Sequence, residues 1–277
     1  MKFRILVTAA TLLCCSVHAQ MREMNYLKES GTKGNVKSVK VIRQEVIDNS
    51  GKLTGYRDPT EMILEFDTSG NAVSAVMING DVTEARQVRK YNSRNLKYEQ
   101  ENYHYGTDCG AVTKYEYDKK DNLTTVTYYN CDGTLRLTER MEYDLNNNLI
   151  FKSTNFGKTS DTSLKFKYDG RNNLIEQVLM NRTNGVEQKT TTTYTYDSSN
   201  VRKTKSTLDN NGSMTYHVRY EDADHYTAET YDDGKKSYER VYKTEKKNID
   251  SVGNWTEEIY YRDGKAYERV TRYFTYY

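Results

Sequence analysis

Proline is almost missing: Pro59 is the only one in 277 residues. A proline cannot donate to a strand ladder, so its scarcity leaves room for long uninterrupted strands. Tryptophan is as rare, with Trp255 alone, and the mature histidines His104, His217 and His225 show no metal-ligand spacing such as H-x-x-x-H. No metal and no other cofactor is therefore expected. The chain also lacks a G-x-S-x-G elbow, a phosphate loop, a dinucleotide fingerprint and an H-E-x-x-H pair, so the reading is non-catalytic. Carboxylates abound, but abundance without geometry does not define a glycosidase pair.

One apolar run stands at the start. Met1 to Ala19 has a basic opening (Lys2, Arg4), an apolar stretch from Ile5 to Cys15, and Val17-His18-Ala19 before Gln20. That is the pattern of a secretory signal peptide, and it divides the chain into 1–19, removed on export, and 20–277, a single domain. Leu13 and Cys14 stand where lipid attachment at Cys14 or Cys15 prefers a small residue. The expected location is the periplasm, the cell surface or the medium. No later run reaches the roughly 20 residues that a spanning helix needs. Without Lys2 and Arg4, 41 − 2 = 39 basic residues balance 39 acidic ones, which argues against a nucleic-acid partner.

What fills the chain is alternation and paired reversals. In Tyr115 to Leu149, Leu135, Leu137, Met141 and Tyr143 fall on alternate positions with Arg136, Thr138, Arg140 and Glu142 between them. The period is two, that of a strand with one dry and one wet face. Tyr117-Asp118 leads to Asn122-Leu123, and Tyr143-Asp144 to Asn148-Leu149, with Asn130-Cys131-Asp132-Gly133 between the two marks. An Asp accepting backbone amides ahead of it, and Asn122 tolerating a positive φ, make each mark a turn. The grammar recurs at Phe66-Asp67, Tyr91-Asn92, Tyr168-Asp169, Tyr196-Asp197, Tyr220-Glu221 and Ile249-Asp250, with a truncated copy at Lys33-Gly34-Asn35-Val36. Glycines 51, 80, 110, 133, 157, 185, 212, 234 and 264 mark the opposite turns. Nine marks of each kind predict nine hairpins, about eighteen strands, in one all-β repeat domain. Met21 to Ser30 fits a short helix. A sheet with one apolar face must coil, close into a barrel or fold over itself.

These marks resemble the YD-repeat proteins, also called RHS repeats, whose motif is Tyr-Asp-x-x-Gly-Asn-Leu. Phe66 to Asn71 and Asp250 to Asn254 keep the Gly-Asn pair, whereas Asp121, Asn147 and Asn172 stand where the family has Gly. The resemblance implies a continuous curling antiparallel sheet, used in that family as a shell around a toxin or as a carbohydrate-binding or adhesive surface.

Four expectations follow for sites and function. Cys109 and Cys131 lie beside the Gly turns of consecutive hairpins, on one edge of the sheet, and are expected to form a disulfide; the alternative is two free or differently paired thiols. Adjacent tyrosines such as Tyr128-Tyr129 and Tyr260-Tyr261 point to opposite faces, so one ring of each pair lies outside. Together with Trp255, these rings are the candidate binding residues for a glycan or a surface protein, although packing is the simpler role for most tyrosines and capping the core is the simpler role for Trp255. The expected function is a secreted or surface scaffold that binds through its sheet. An outer-membrane β-barrel is the alternative, opposed by Glu139, Glu176 and Glu257 in mid-strand. A carbohydrate-active hydrolase comes third.

Overall fold

A computed structural model describes residues 31–49, 52–106, 110–156 and 160–277, with side chains described throughout except at 47–49 and 52–58. The leader, the helix expected over 21–30, Gly51, Gly157 and Cys109 lie outside the described residues. The strands are β1 (Val36–Asn49), β2 (Lys52–Phe66), β3 (Ala72–Asn79), β4 (Val82–Tyr91), β5 (Lys97–His104), β6 (Ala111–Tyr117), β7 (Leu123–Tyr129), β8 (Leu135–Tyr143) and β9 (Leu149–Asn155). They continue with β10 (Ser160–Tyr168), β11 (Leu174–Thr183), β12 (Val186–Tyr196), β13 (Arg202–Leu208), β14 (Met214–Tyr220), β15 (His225–Asp232), β16 (Lys235–Ile249), β17 (Trp255–Arg262) and β18 (Lys265–Tyr276).

Each strand pairs antiparallel with the next, and β18 pairs with β1 through Phe274 opposite Val39 and Val270 opposite Arg43. The eighteen-stranded sheet is thereby a closed barrel. The count and the all-β class are those the alternation predicts. Closure corrects the picture of a secreted YD-repeat strip with an open or curling sheet surface: the β1–β18 ladder leaves no free edge, because unpaired edge amides and carbonyls gain hydrogen bonds when the ring closes.

The two ends of the barrel differ. At one end the Tyr-Asp marks make three-residue loops closed by a residue with positive φ. In the Asp118 turn the Asp118 amide donates to the Asn122 carbonyl at 2.9 Å and the Asp121 amide donates back to the Asp118 carbonyl at 3.2 Å. The positive φ falls on Asp121 (65°), and likewise on Asn147, Asn172, Asn200, Gly70 and Gly253. It does not fall on Asn122, which is nearly fully buried. The other end carries short glycine turns, such as Asn184-Gly185, Asp233-Gly234 and Asp263-Gly264, with both residues at positive φ, the pattern of two-residue hairpins.

Register assigns the faces. Following ladder partners from Val39 through Leu64, Ala75, Gln87 and Asn102 onward, one face takes Thr113, Val126, Met141, Thr154, Thr192, Val218, Ala228, Glu258 and Val270 before returning to Val39. All nine of those residues are buried. A closed sheet crowds the side chains of its concave side, so this face is the inner one. The opposite face carries exposed or half-buried ion pairs: Lys90 with Glu99 (2.7 Å) and Glu101 (2.9 Å), Lys167 with Glu176 (2.6 Å), and Lys243 with Glu245 (2.9 Å). Of the three mid-strand glutamates singled out above, Glu176 and Glu257 face outward, while Glu139 faces inward and pairs with Lys152 at 2.9 Å.

The two larger apolar clusters lie along the wall. One cluster joins Val36, Val39, Val41, Leu64, Phe66, Ala75 and Val270 on β1, β2, β3 and β18. Another joins Leu123, Val126, Met141 and Leu149 on β7 to β9, flanked by Tyr115, Tyr117 and Phe166. Each cluster is made by neighbouring strands, consistent with the channel that a barrel of about 16–18 strands encloses.

Candidate binding site on the inner wall

Two kinds of tyrosine face inward, and only one of them is committed to structure. The tyrosine of each mark reaches back along the rim: the hydroxyls of Tyr91, Tyr117, Tyr143, Tyr168 and Tyr196 donate to the carbonyls of Ala72, Lys97, Leu123, Leu149 and Leu174 at 2.7–3.0 Å. Burial and the Asp118 charge push the Tyr143 phenol up to about 12, and burial raises Tyr168 further. These phenols stay protonated as donors. Asparagines complete the rim. The side-chain amides of Asn71, Asn122, Asn148 and Asn173 donate to Asn95, Asn147, Asn172 and Asn200 in the next turn, each at 3.1 Å.

The second group forms a wall across β12 to β18. Tyr226 stacks on Tyr242 with centroids 5.0 Å apart, Tyr220 meets Tyr226 at 5.8 Å, and Tyr260 meets Tyr267 at 6.4 Å. Tyr194 and Tyr216 share this face, since Tyr194 lies opposite Lys205, and Tyr216 opposite Thr207 and Thr230. The Arg202 guanidinium lies 5.3 Å from the Tyr194 ring and 5.7 Å from Tyr220, and Lys205 Nζ is 5.9 Å from Tyr216. Burial raises the phenols of Tyr194, Tyr216, Tyr226 and Tyr260. The wall is a set of rings with polar tips, and it remains half-buried, not sealed. Flat rings and hydroxyls facing a lumen suit a ligand with both an apolar face and hydrogen-bonding groups.

The residues singled out in the sequence are dispersed by this geometry. Tyr128 faces inward, its hydroxyl 3.3 Å from Glu139, and Tyr129 is on the opposite, outer face. Tyr260 faces inward, and Tyr261 faces outward, donating to Glu245 at 3.0 Å. One ring of each pair is outside, as the period of two requires, but β7 and β17 stand eight strands apart by the shorter way round the barrel. Trp255 occupies the position at which Leu123, Leu149 and Leu174 are buried in their turns, yet it is 43% exposed at the rim and does not cap the core. Cys131, in the Asn130–Thr134 turn, is disulfide-bonded; its expected partner Cys109 lies outside the described residues. Sequence reading missed the wall because its tyrosines come from six strands. Their one local signal was inward parity.

No family model matches the chain and no curated protein does. Among solved structures the chain is similar to a porin-like protein from Bacteroides uniformis, with 12% identity over 88% of this chain and 99% of that one, at a TM-score of 0.39. So loose an overlap assigns no role.

One serine–histidine grouping stands on the outer face. Ser206 Oγ lies 2.8 Å from His217 Nδ1 on the outer face, and His217 stands opposite Glu229. The Glu229 carboxylate, however, is held by Tyr231 (2.8 Å), Arg219 (2.9 Å) and Lys236 (3.5 Å), so it does not orient the imidazole. Among the described residues no group of three or more His, Cys, Asp or Glu is placed to hold a metal ion.

Proposed function

We propose that this protein is a hollow, water-facing β-barrel that binds a ligand in its tyrosine-lined lumen. The observation that carries the reading is the distribution of chemistry between the faces. Lys40, Glu61, Lys90, Glu101, Lys167, Glu176, Arg219 and Glu229 stand outside, while the stacked tyrosines and both of the larger apolar clusters are inside. A lipid-facing barrel needs the reverse, since each Lys or Arg at the bilayer midplane costs about 2–4 kcal/mol. The test pairs variants on the two faces. Tyr226→Ala with Tyr242→Ala should abolish binding of an oligosaccharide found by array screening, and Tyr129→Ala with Tyr261→Ala should leave it intact. The opposite result would move the site to the outer surface and end this reading.

A second reading, an outer-membrane β-barrel, is favoured by one observation: the sheet has no free edge, which a strand-built membrane span requires. No helix among the described residues is long and apolar enough to cross a membrane, which says nothing about strands. Expression of the processed chain without detergent decides between the two. A monodisperse soluble monomer supports the water-facing barrel, and dependence on detergent supports the membrane one.

A further inference from the structure

We infer that the lumen holds a straight, cellulose-type glycan chain, threaded from one mouth of the barrel to the other along the row Tyr220, Tyr226, Tyr242, Arg262 and Tyr267. The inference rests on luminal binding and specifies the ligand and its course. Its basis is the register. Tyr220 stands opposite Tyr226, Tyr226 opposite Tyr242, and Tyr242 opposite Arg262, so one line of inward side chains crosses β14 to β17. Neighbours in the line touch: the ring centroids are 5.8 Å and 5.0 Å apart at the first two steps, and the Arg262 guanidinium lies 5.3 Å from the Tyr267 ring on β18. Strands of a barrel are tilted, so a line of ladder partners climbs along its axis. This one starts at the last residue of β14, beside the Tyr220-Glu221 reversal at one end of the barrel. It passes the middle of β16 and reaches the last residue of β17, beside the Asp263-Gly264 turn at the other end.

The polar tips of this row are uncommitted. Among the described residues the hydroxyls of Tyr220, Tyr226, Tyr242 and Tyr267 make no hydrogen bond to a protein group, whereas those of Tyr91, Tyr117, Tyr143, Tyr168 and Tyr196 each hold a backbone carbonyl. Tyr226 and Tyr242 lie within 16° of parallel, so the two rings stand side by side out of the sheet with their tips toward the lumen. Burial, then the phenols of Tyr267, Tyr216, Tyr242 and Tyr220, raise Tyr226. A half-buried phenol without a protein partner gains most from a ligand that brings its own hydroxyls. The step of the row decides which ligand. Neighbouring strands are about 4.8 Å apart, close to the length of one sugar in a straight, equatorially linked chain, whereas an extended peptide repeats every 3.3 Å or so and falls out of step. Each sugar thus meets one tip, and its C–H edges meet the rings.

The experiment is titration calorimetry on the processed full-length chain with cellobiose, cellotetraose and cellohexaose. Affinity is expected to rise about fivefold or more at each step of the series, because each longer chain reaches further tips. Tyr226→Phe and Tyr242→Phe keep the stacked rings and remove only the tips. Each should weaken cellohexaose by a similar factor, the outer-face variant Tyr129→Phe should leave it unchanged, and circular dichroism should show all three folded. Cellobiose binding as tightly as cellohexaose, and lost in Tyr226→Ala, would overturn the threaded course and leave luminal binding standing. Cellohexaose binding unchanged in folded Tyr226→Phe and Tyr242→Phe would overturn the role of the row. Failure of the whole series to bind would sink the cellulose-type chain, and the array screen then decides luminal binding separately.

Discussion

The Tyr277 amide donates to the Asn35 carbonyl at 2.9 Å, and this bond is the counterpart of Asp118 to Asn122 within a covalent turn. Gly34, at φ 79°, stands where Asp121 does, and Val36, 1% exposed, stands where Leu123 does. The truncated mark at Lys33-Gly34-Asn35-Val36 is therefore one half of a turn whose other half is Tyr276-Tyr277. The seam is tied further. Asn254 accepts from the Lys33 amide at 2.7 Å and donates to Tyr276 at 2.8 Å, while the Tyr276 hydroxyl donates to Asp250 and the Tyr277 hydroxyl to the Phe66 carbonyl.

Removing Tyr276 and Tyr277 should loosen the β1–β18 seam and leave the edges of β1 and β18 unpaired at the rim. Exposed edges recruit other strands, so the truncated protein is expected to oligomerise. Size-exclusion chromatography against the full chain reads this directly, and a monomer of unchanged thermal midpoint would contradict the role given to the split turn.

The asparagine rim predicts a graded series. Asn122→Ala leaves the Asp118 and Asn147 oxygens without their donor at a nearly sealed position, at a cost of about 1–3 kcal/mol. Asn173→Ala, whose bond to Asn200 lies in a more exposed turn, should cost less. Urea unfolding of both variants tests the order.

At Gly264 the backbone sits at φ 77° and an added Cβ would meet nothing. Gly264→Ala therefore isolates backbone strain, and a loss of about 1–2 kcal/mol is expected. A neutral result in the same unfolding assay would mean that the turn relaxes to another type.

Acid should destabilise the outer face. Burial raises the Glu229 carboxyl, but hydrogen bonds from Tyr231 and Arg219 outweigh it and bring it down to about 2; Lys243, Lys247 and Tyr261 hold Glu245 at about 2. Both are depressed from an ordinary 4.5. The unfolded chain thus takes up protons first, so this stability is complete above pH 4.5 and drains as pH falls toward 2. Thermal midpoints measured across that window should fall, and the fall should be shallower in Glu245→Gln.

The disulfide at Cys131 is expected to end on Cys109. Neither thiol should alkylate in the non-reduced protein, and closing a loop of about 22 residues contributes roughly 3 kcal/mol in the chain-entropy model. A mass spectrum with two alkylated thiols would refute the pairing.

Strand number, turn positions and the opposed faces of Tyr128-Tyr129 and Tyr260-Tyr261 were legible in the chain because each depends on neighbours within a few residues: a period of two, an Asp that caps its own turn, a residue able to take positive φ. The positive φ reads from the sequence both as tolerable at Asn122 and, from the YD motif, as falling at Asp121, Asn147 and Asn172, where that motif has Gly; the structure puts it on the second set, and Asn122 is buried instead. Capping of the core, the simpler role weighed for Trp255, is excluded for a different reason. Its place in the turn is the buried one, and only its surroundings at the rim leave it exposed.

The amino-acid order alone determined that eighteen amphipathic strands would form and where each would reverse, since those choices are settled by local backbone conformation and alternation. It did not determine that Tyr277 would meet Asn35, nor which face would become concave, nor that tyrosines spread from β12 to β18 would form one wall. Those depend on closure of the ring, a relation between residues more than 200 positions apart that no local pattern encodes.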